Sequence, residues 1–448
     1  MQKFDLIVIG AGSGLDVAVA AAARGMNVAI VEEGPMGGTC LNRGCIPTKI
    51  LIHSADVVQA IKNASVFGVD VKGYSIDFRK VMQRARTVDA DAQEIEANLR
   101  KAKNITLFKE RGVFSGQKTL NLAGGEITAD RIVIAAGTRP AVPPVKGLDK
   151  VPYMTSDEAL KAGNLPKELI IIGGGYIACE LAHFFGSMGS KIQILQRNVR
   201  LLPDEDEEIS QKFTELFSKE YPVRLSFAVT GAEKRGERIA VFGADGAEVE
   251  GTDLLIATGR VPNSDMLQVE KCGIKTNKAG YIETNEYMET NVPGVWAFGD
   301  IAGKYLFKHS ANLEAEYVTI SILTPEHHHK VDYTAMPHAV FSHPQVAGVG
   351  ATEQELKAKG EDYLVGKYMY KNTGMGEALA EEEGFVKFIA DYEGKILGCH
   401  IIGPDASTLI HEVLVSMKAG KSHVNDIINT IHVHPALSEV VQRGAGSV

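Results

Sequence analysis

The sequence is short of cysteine, of tryptophan and of positive charge. Five cysteines among 448 residues exclude a disulfide-stapled secreted scaffold and suggest a reducing compartment, with the cytoplasm as the expectation. A net charge of -9 leaves no basic excess for nucleic acid or an anionic membrane. Long apolar runs are missing too. The N-terminal run Leu6–Ile9 is far too short for a signal peptide or a membrane span, and it has strand character. What is abundant is glycine, 46 residues in a chain that is 45% apolar. That composition fits a globular α/β enzyme, and the length predicts about two to four domains.

Two of the cysteines stand together. Cys40 and Cys45 bracket a glycine in Gly37-Gly38-Thr39-Cys40-Leu41-Asn42-Arg43-Gly44-Cys45-Ile46-Pro47-Thr48-Lys49, just before a helix predicted over 49–60. Thiols at a helix N-terminus are favoured as thiolates by the dipole and the unpaired N–H groups. A disulfide here closes so small a loop that it adds little stability, so its value is chemical. Two buried structural cysteines or half of a zinc site are the plainer readings. Zinc needs two further Cys or His ligands at short spacing, and none lies nearby.

The flanking sequence supplies an electron source. A strand over 5–9 leads into Gly10-Ala11-Gly12-Ser13-Gly14, a helix over 15–24 and a strand over 27–31 that ends at Glu32. This strand, glycine loop, helix, strand and acid binds an adenine dinucleotide, with the helix start facing the pyrophosphate and the acid accepting from a ribose hydroxyl. The third glycine of the pattern falls on Leu15, so the helix is expected to ride slightly further from its strand. A second unit begins with a strand over 168–172, then Gly173-Gly174-Gly175-Tyr176-Ile177-Ala178, a helix over 176–188 and a strand over 191–195. Gln196 stands where an NAD-preferring site places a carboxylate, and Arg197 and Arg200 are available to a 2′-phosphate. NADPH is therefore expected over NADH. Pro140, Pro143 and Pro144 mark a linker between the units. The run Asp204–Glu208 is expected to open a helix as a favourable N-terminal charge set. His327–His329 cannot all face one metal and are expected to be solvated; no metal is expected.

In this order the motifs resemble the class I pyridine nucleotide–disulfide oxidoreductases, a family that includes dihydrolipoamide dehydrogenase, glutathione reductase, mycothione reductase and mercuric reductase. The likeness runs from Phe4 to about Val441. It implies an α/β fold with two Rossmann-like dinucleotide-binding domains, for FAD and NAD(P), plus a C-terminal α+β dimerisation domain. The expected segments are 1–145 and 265–334 for FAD, 146–264 for NAD(P) and 335–448 for dimerisation. The residues implied for FAD are Gly10, Gly12, Ser13, Gly14, Glu32, Gly38, Thr39, Ala136, Gly137, Gly299 and Asp300. Those implied for NAD(P) are Gly173, Gly175, Tyr176, Ile177, Gln196, Arg197, Arg200 and Gly259.

The resemblance also assigns roles. Cys45 becomes the flavin-proximal thiolate and Cys40 the thiol that attacks substrate. Lys49 and Glu180 match an ion pair beside the nicotinamide, and Tyr176 an aromatic gate. His434-Pro435, followed by Glu439, matches the family's catalytic base and its orienting carboxylate, contributed by the partner of a homodimer. The implied reaction passes electrons between NAD(P)H and a small disulfide or dithiol. A dihydrolipoamide dehydrogenase-type enzyme is expected, with a lipoyl-bearing protein as a partner this allows. An NADPH-dependent reductase of a low-molecular-weight thiol disulfide is the alternative. A flavin electron-transfer or scaffold protein without a disulfide substrate is the alternative of another class. The chain departs from mercuric reductase in lacking a C-terminal cysteine pair, and from glutathione reductase in the Ala-Leu-Ser-Glu that follows His434-Pro435.

Overall fold

The N-terminal strand β1 (Gln2–Ile9) is apolar on both faces: Leu6 and Val8 join one buried cluster, Ile7 and Ile9 another. Such a strand belongs inside a parallel sheet covered on both sides. The computed structural model, which describes all 448 residues, places it there. β1 lies between β2 (Val28–Val31) and the strand Gly125–Ile134, parallel to both. Ile105–Phe108 extends the sheet past β2, and Val295–Ala297 pairs parallel with Gly125–Ile134. An antiparallel hairpin, Val113–Gly116 and Thr119–Leu122, completes seven strands.

The chain divides into two units. The first comprises Met1–Ile50, Met82–Ala141 and Gly259–Tyr333; the second comprises Leu51–Val81, Val142–Thr258 and Thr334–Val448. The second unit carries a four-stranded parallel sheet in the order Val223–Arg224, Lys191–Leu195, Glu168–Ile172, Asp253–Ile256. It also holds a three-stranded antiparallel sheet over residues 229–251 and a five-stranded antiparallel sheet that begins at Pro337–Val340. Helices Ala406–Ala419 and Ser438–Ala445 pack on that last sheet, sharing a core with Val386, Phe388 and Ile401. The architecture is the expected α/β fold, with a mainly parallel sheet in each unit and a C-terminal α+β segment. The segment from 335 onward is tied to residues 142–258 by the pairs Glu205–His338, Asp206–Lys387 and Glu208–Lys367.

Several local expectations shift. α1 spans Gly14–Ala23, α2 spans Gly38–Arg43, and α3 spans Cys45–Lys62. Cys45 therefore heads α3, which starts one turn earlier than Lys49. The second unit's strand Glu168–Ile172, helix Tyr176–Met188 and strand Lys191–Leu195 fall where the sequence pattern puts them.

Candidate active site

The first glycine loop is shaped by contacts that no side chain tolerates. Gly10 sits at φ +103°, and a Cβ there would lie 2.3 Å from the Ala135 carbonyl oxygen. A Cβ on Gly14 would meet Val8 at 2.9 Å. A close helix–strand approach thus falls on Gly14, the first residue of α1. The Glu32 carboxylate accepts from the Ala11 N–H at 2.8 Å and the Gly34 N–H at 2.6 Å, bracing the loop it follows. Across the sheet, Asp300 accepts from the Thr138 hydroxyl at 2.7 Å and faces Arg260 at 3.9 Å. The Arg260 guanidinium also donates to Thr138 at 2.7 and 2.8 Å. Ala136 and Gly137 are clamped by Asn263, which donates to the Ala136 carbonyl and whose own N–H bonds the Gly137 carbonyl. The Gly299 N–H donates to the buried Glu314, whose carboxyl is pushed up mainly by burial. Bare backbone along Gly10–Gly14 and Ala135–Gly137, with a helix start beyond it, fits a dinucleotide that needs close approach.

The cysteine helix abuts this loop. Gly38 (φ +64°) packs so that a Cβ would sit 2.7 Å from the Gly12 Cα, and the Gly37 N–H donates to the Ala11 carbonyl. Asn42 donates to the Gly38 and Met36 carbonyls and fixes α2, which carries Thr39 and Cys40. Cys40 and Cys45 are both thiols. A hydrogen bond to Cys45, and next burial, push the Cys40 thiol far up, whereas the charge of Lys308 pulls it down. The two sulfurs are therefore in direct contact, and Lys308 is the cation that acts on them. Lys49 follows one turn along α3.

The second unit repeats the glycine device. Gly173 sits at φ +125° with its Cβ position 2.2 Å from the Ala257 carbonyl oxygen, and Gly175 caps the helix that opens with Tyr176 and Ile177. The Tyr176 hydroxyl donates to Glu205, a carboxylate that also bonds His338 at 2.9 Å. Burial alone would raise Glu205, but the His338 charge and the two hydrogen bonds outweigh it and hold the carboxyl low. Glu180, buried, accepts from the Phe341 N–H at 2.9 Å. Gln196 is buried and donates to the Arg200 carbonyl, while Arg200 pairs with Glu207 at 2.7 Å. Arg197 is exposed. Gly259, assigned by resemblance to NAD(P), belongs to the first unit, with φ +116° and its carbonyl bonded to the Ala141 N–H.

Part of the acidic run departs from its expected role. Asp206 caps the helix Glu207–Glu220, with Glu207 and Glu208 in the first turn, as expected. Glu205 and Asp206, however, are buried, and Asp206 pairs with a buried Lys387 at 2.9 Å. The His327–His329 run lies on the surface, and no cluster of three metal-ligating side chains occurs in the chain.

Near the C-terminus, the Glu439 carboxylate lies 3.0 and 3.2 Å from His434 Nδ1 and also accepts from the Ala436 N–H. Bonding to His434, then to that N–H, holds the carboxyl below its usual range, so it is ionised at neutral pH. An imidazole carrying its proton on Nδ1 donates to that carboxylate and leaves Nε2 free. The His434 side chain is 76% exposed, flanked by Ile431 and Val433 at 97% and 75%.

Sequence reasoning missed Thr138, Arg260, Lys308, Glu205 and His338 as members of these clusters. Arg260 was within reach, one residue past the flagged Gly259. Nothing in the sequence signals that Glu205 and His338 meet.

Comparison with known proteins follows the same outline. The family described as pyridine nucleotide-disulphide oxidoreductase matches residues 4–320, and its dimerisation domain matches residues 336–445. The chain is 36% identical over 454 residues to mycothione reductase of Mycobacterium tuberculosis, covering 99% of this chain and 98% of that one. It is 35% identical over 455 residues to dihydrolipoyl dehydrogenase of Chlamydia pneumoniae, covering 99% and 96%. Among solved structures, the HOCl-induced flavoprotein disulfide reductase RclA of Escherichia coli superposes with a TM-score of 0.89 at 28% identity, covering 99% of this chain and 100% of that one.

Proposed function

The chain belongs to the pyridine nucleotide-disulphide oxidoreductase family and is an FAD-dependent NAD(P)H:disulfide oxidoreductase; from that premise we propose that Cys40–Cys45 is its redox relay. The observation that carries the reading is the contact of the two thiols at the head of α3, on the helix pair whose Gly38 packs against Gly12 of the first glycine loop. FAD, when bound, carries the electron pair from the nicotinamide to the cysteine disulfide. Gly10, Gly12, Ser13, Gly14, Gly38, Thr39, Ala136, Gly137, Gly299 and Asp300 are the residues we assign to hold it, with Glu32 stiffening the loop. Gly173, Gly175, Tyr176 and Ile177 are the residues we assign to the nicotinamide cofactor, and Glu180 to its nicotinamide end.

The reduced pair then works by exchange. With the proton of the pair on Cys45, the Cys40 thiolate attacks one sulfur of the substrate disulfide and forms a mixed disulfide. The departing thiolate takes a proton from the His434 imidazolium of the partner chain, whose charge Glu439 steadies. Cys45 then gives its proton to the His434 imidazole, attacks Cys40 and closes the internal disulfide, and the second substrate thiolate leaves and takes that proton from His434. In sum NAD(P)H, one proton and a disulfide give NAD(P)+ and two thiols. The dimerisation domain makes the chain a homodimer, and exposed Ile431 and Val433 beside His434 support the partner's part in the site.

The substrate we favour is a lipoamide-type disulfide, used in the cytoplasm, with a lipoyl-bearing protein as the natural carrier. Exposed Arg197 beside Gln196 supports NADPH, and with it a second reading, an NADPH-dependent reductase of a low-molecular-weight thiol disulfide. The test is kcat/KM for NADPH and NADH against lipoamide, glutathione, mycothiol-type and coenzyme A disulfides. Turnover of lipoamide above the others supports the first reading. Turnover of none favours a flavin electron-transfer protein.

A further inference from the structure

The helix Lys308–Leu323 begins with a cation. That is the wrong sign for a helix N-terminus, where the unpaired N–H groups already present positive charge, and no acidic residue stands in the first turn to offset it. The Lys308 side chain is half-buried and held in place. It donates to the Ser13 hydroxyl at 2.6 Å, and that hydroxyl donates onward to Asn312 of the same helix at 2.9 Å. Ser13 is buried and follows Gly12, the residue whose backbone abuts Gly38 at the start of α2. The ammonium is therefore fixed where the glycine loop and the cysteine helix meet, and its partner there is a hydroxyl and not a carboxylate. Its charge remains available to a neighbouring anion.

We propose that Lys308 is the electrostatic partner of the Cys40–Cys45 pair, the cation that favours the thiolate form once the disulfide is reduced. The inference rests on the reading of that pair as the redox relay. Two-electron reduction by hydride leaves two sulfurs sharing one proton. The net negative charge of that unit is what a fixed ammonium stabilises. The groups acting on Cys40 are Cys45 from α3 and Lys308 from the helix that begins there, and Lys308 pulls in the direction of the thiolate. Arg43 closes α2 and Lys49 lies on α3, so both are retained in the comparison. Lys308 makes no covalent bond and transfers no proton in this account; it acts through the sulfurs.

The test uses the holoenzyme, reduced anaerobically with one equivalent of dithionite and titrated with acid while the thiolate-to-flavin charge-transfer absorbance is followed. Lys308→Met is expected to keep its FAD and to move the midpoint upward by about one pH unit, the size typical of removing a nearby opposite charge. Lys308→Arg should restore the wild-type midpoint, which a purely structural role does not predict. A Lys308→Met midpoint equal to that of wild type overturns the proposal. So does loss of FAD from Lys308→Met, which assigns the lysine to holding the cofactor instead. A wild-type enzyme with no charge-transfer band removes the relay reading itself, a failure distinct from a band whose midpoint does not move.

Discussion

The two glycine loops allow the cofactor assignment to be tested at a single atom in each. Gly10→Ala places a Cβ 2.3 Å from the Ala135 carbonyl oxygen and 2.7 Å from its carbon; Gly173→Ala places one 2.2 Å from the Ala257 oxygen and 2.8 Å from its carbon. In both cases the obstacle is backbone of the neighbouring strand connection, which cannot rotate aside. Relief needs the loop to retreat by about 1 Å, an overpacking cost of roughly 1–3 kcal/mol. The φ values of +103° and +125° add about 1–3 kcal/mol of backbone strain for a residue with a side chain. If about 3 kcal/mol of this falls on the loop's binding geometry, affinity drops by more than ~100-fold. The assay is flavin content after gel filtration, followed by FAD reconstitution and NAD(P)H titration, with thermal melting to exclude global unfolding. Gly10→Ala should emerge depleted in FAD and rebind it ~100-fold more weakly. Gly173→Ala should keep FAD and its visible spectrum but show a KM for NAD(P)H raised by a similar factor. The reverse pattern, or a Gly10→Ala protein with full FAD, refutes the assignment of the first loop.

Three further outcomes follow from the same geometry. His434→Gln should leave NAD(P)H-dependent flavin reduction intact in stopped flow while disulfide turnover falls ~100-fold or more, the cost typical of losing a positioned acid–base group. Glu439, held low by His434, supports that imidazole above its ordinary carboxylate pKa, and the support is lost only as pH falls through the lowered value. Turnover should therefore show no Glu439 titration near neutrality, and Glu439→Gln should depress kcat across that range. Arg197→Ala should raise the KM for NADPH about 10-fold while leaving that for NADH unchanged, as expected for one lost charge-assisted contact to a 2′-phosphate. Lys387→Met strands Asp206, whose side chain is 0% exposed, and should destabilise the fold by about 3–5 kcal/mol in denaturant unfolding.

Much of the site is legible in the sequence because its parts are local. A strand, a glycine loop, a helix and a strand follow one another within a few turns, and the second unit's elements over 168–195 are found where the pattern puts them. The same holds for His434 and Glu439, whose Nδ1–carboxylate contact needs only a short excursion of chain. What escapes is pairing across long sequence separation. Glu205 reads as one more surface acid in Asp204–Glu208, yet it is buried between Tyr176 and His338. Lys308 reads as an ordinary lysine at a helix start, and only the fold brings it to Ser13. The close approach of Gly14 to Val8 escapes too, because it depends on where α1 begins.

The central claim is that electrons from the nicotinamide reach Cys40 and Cys45. It is tested by reducing the oxidised holoenzyme anaerobically with NADPH, quenching with an alkylating agent and mapping the labelled peptides. Cys179, Cys272 and Cys399 are buried and serve as internal references. The account predicts that NADPH exposes two alkylatable thiols per flavin, both in the peptide carrying Cys40 and Cys45, and that Cys45→Ser yields none beyond its unreduced level. Flavin bleaching by NADPH in the wild type with no gain of label at Cys40 or Cys45 contradicts it.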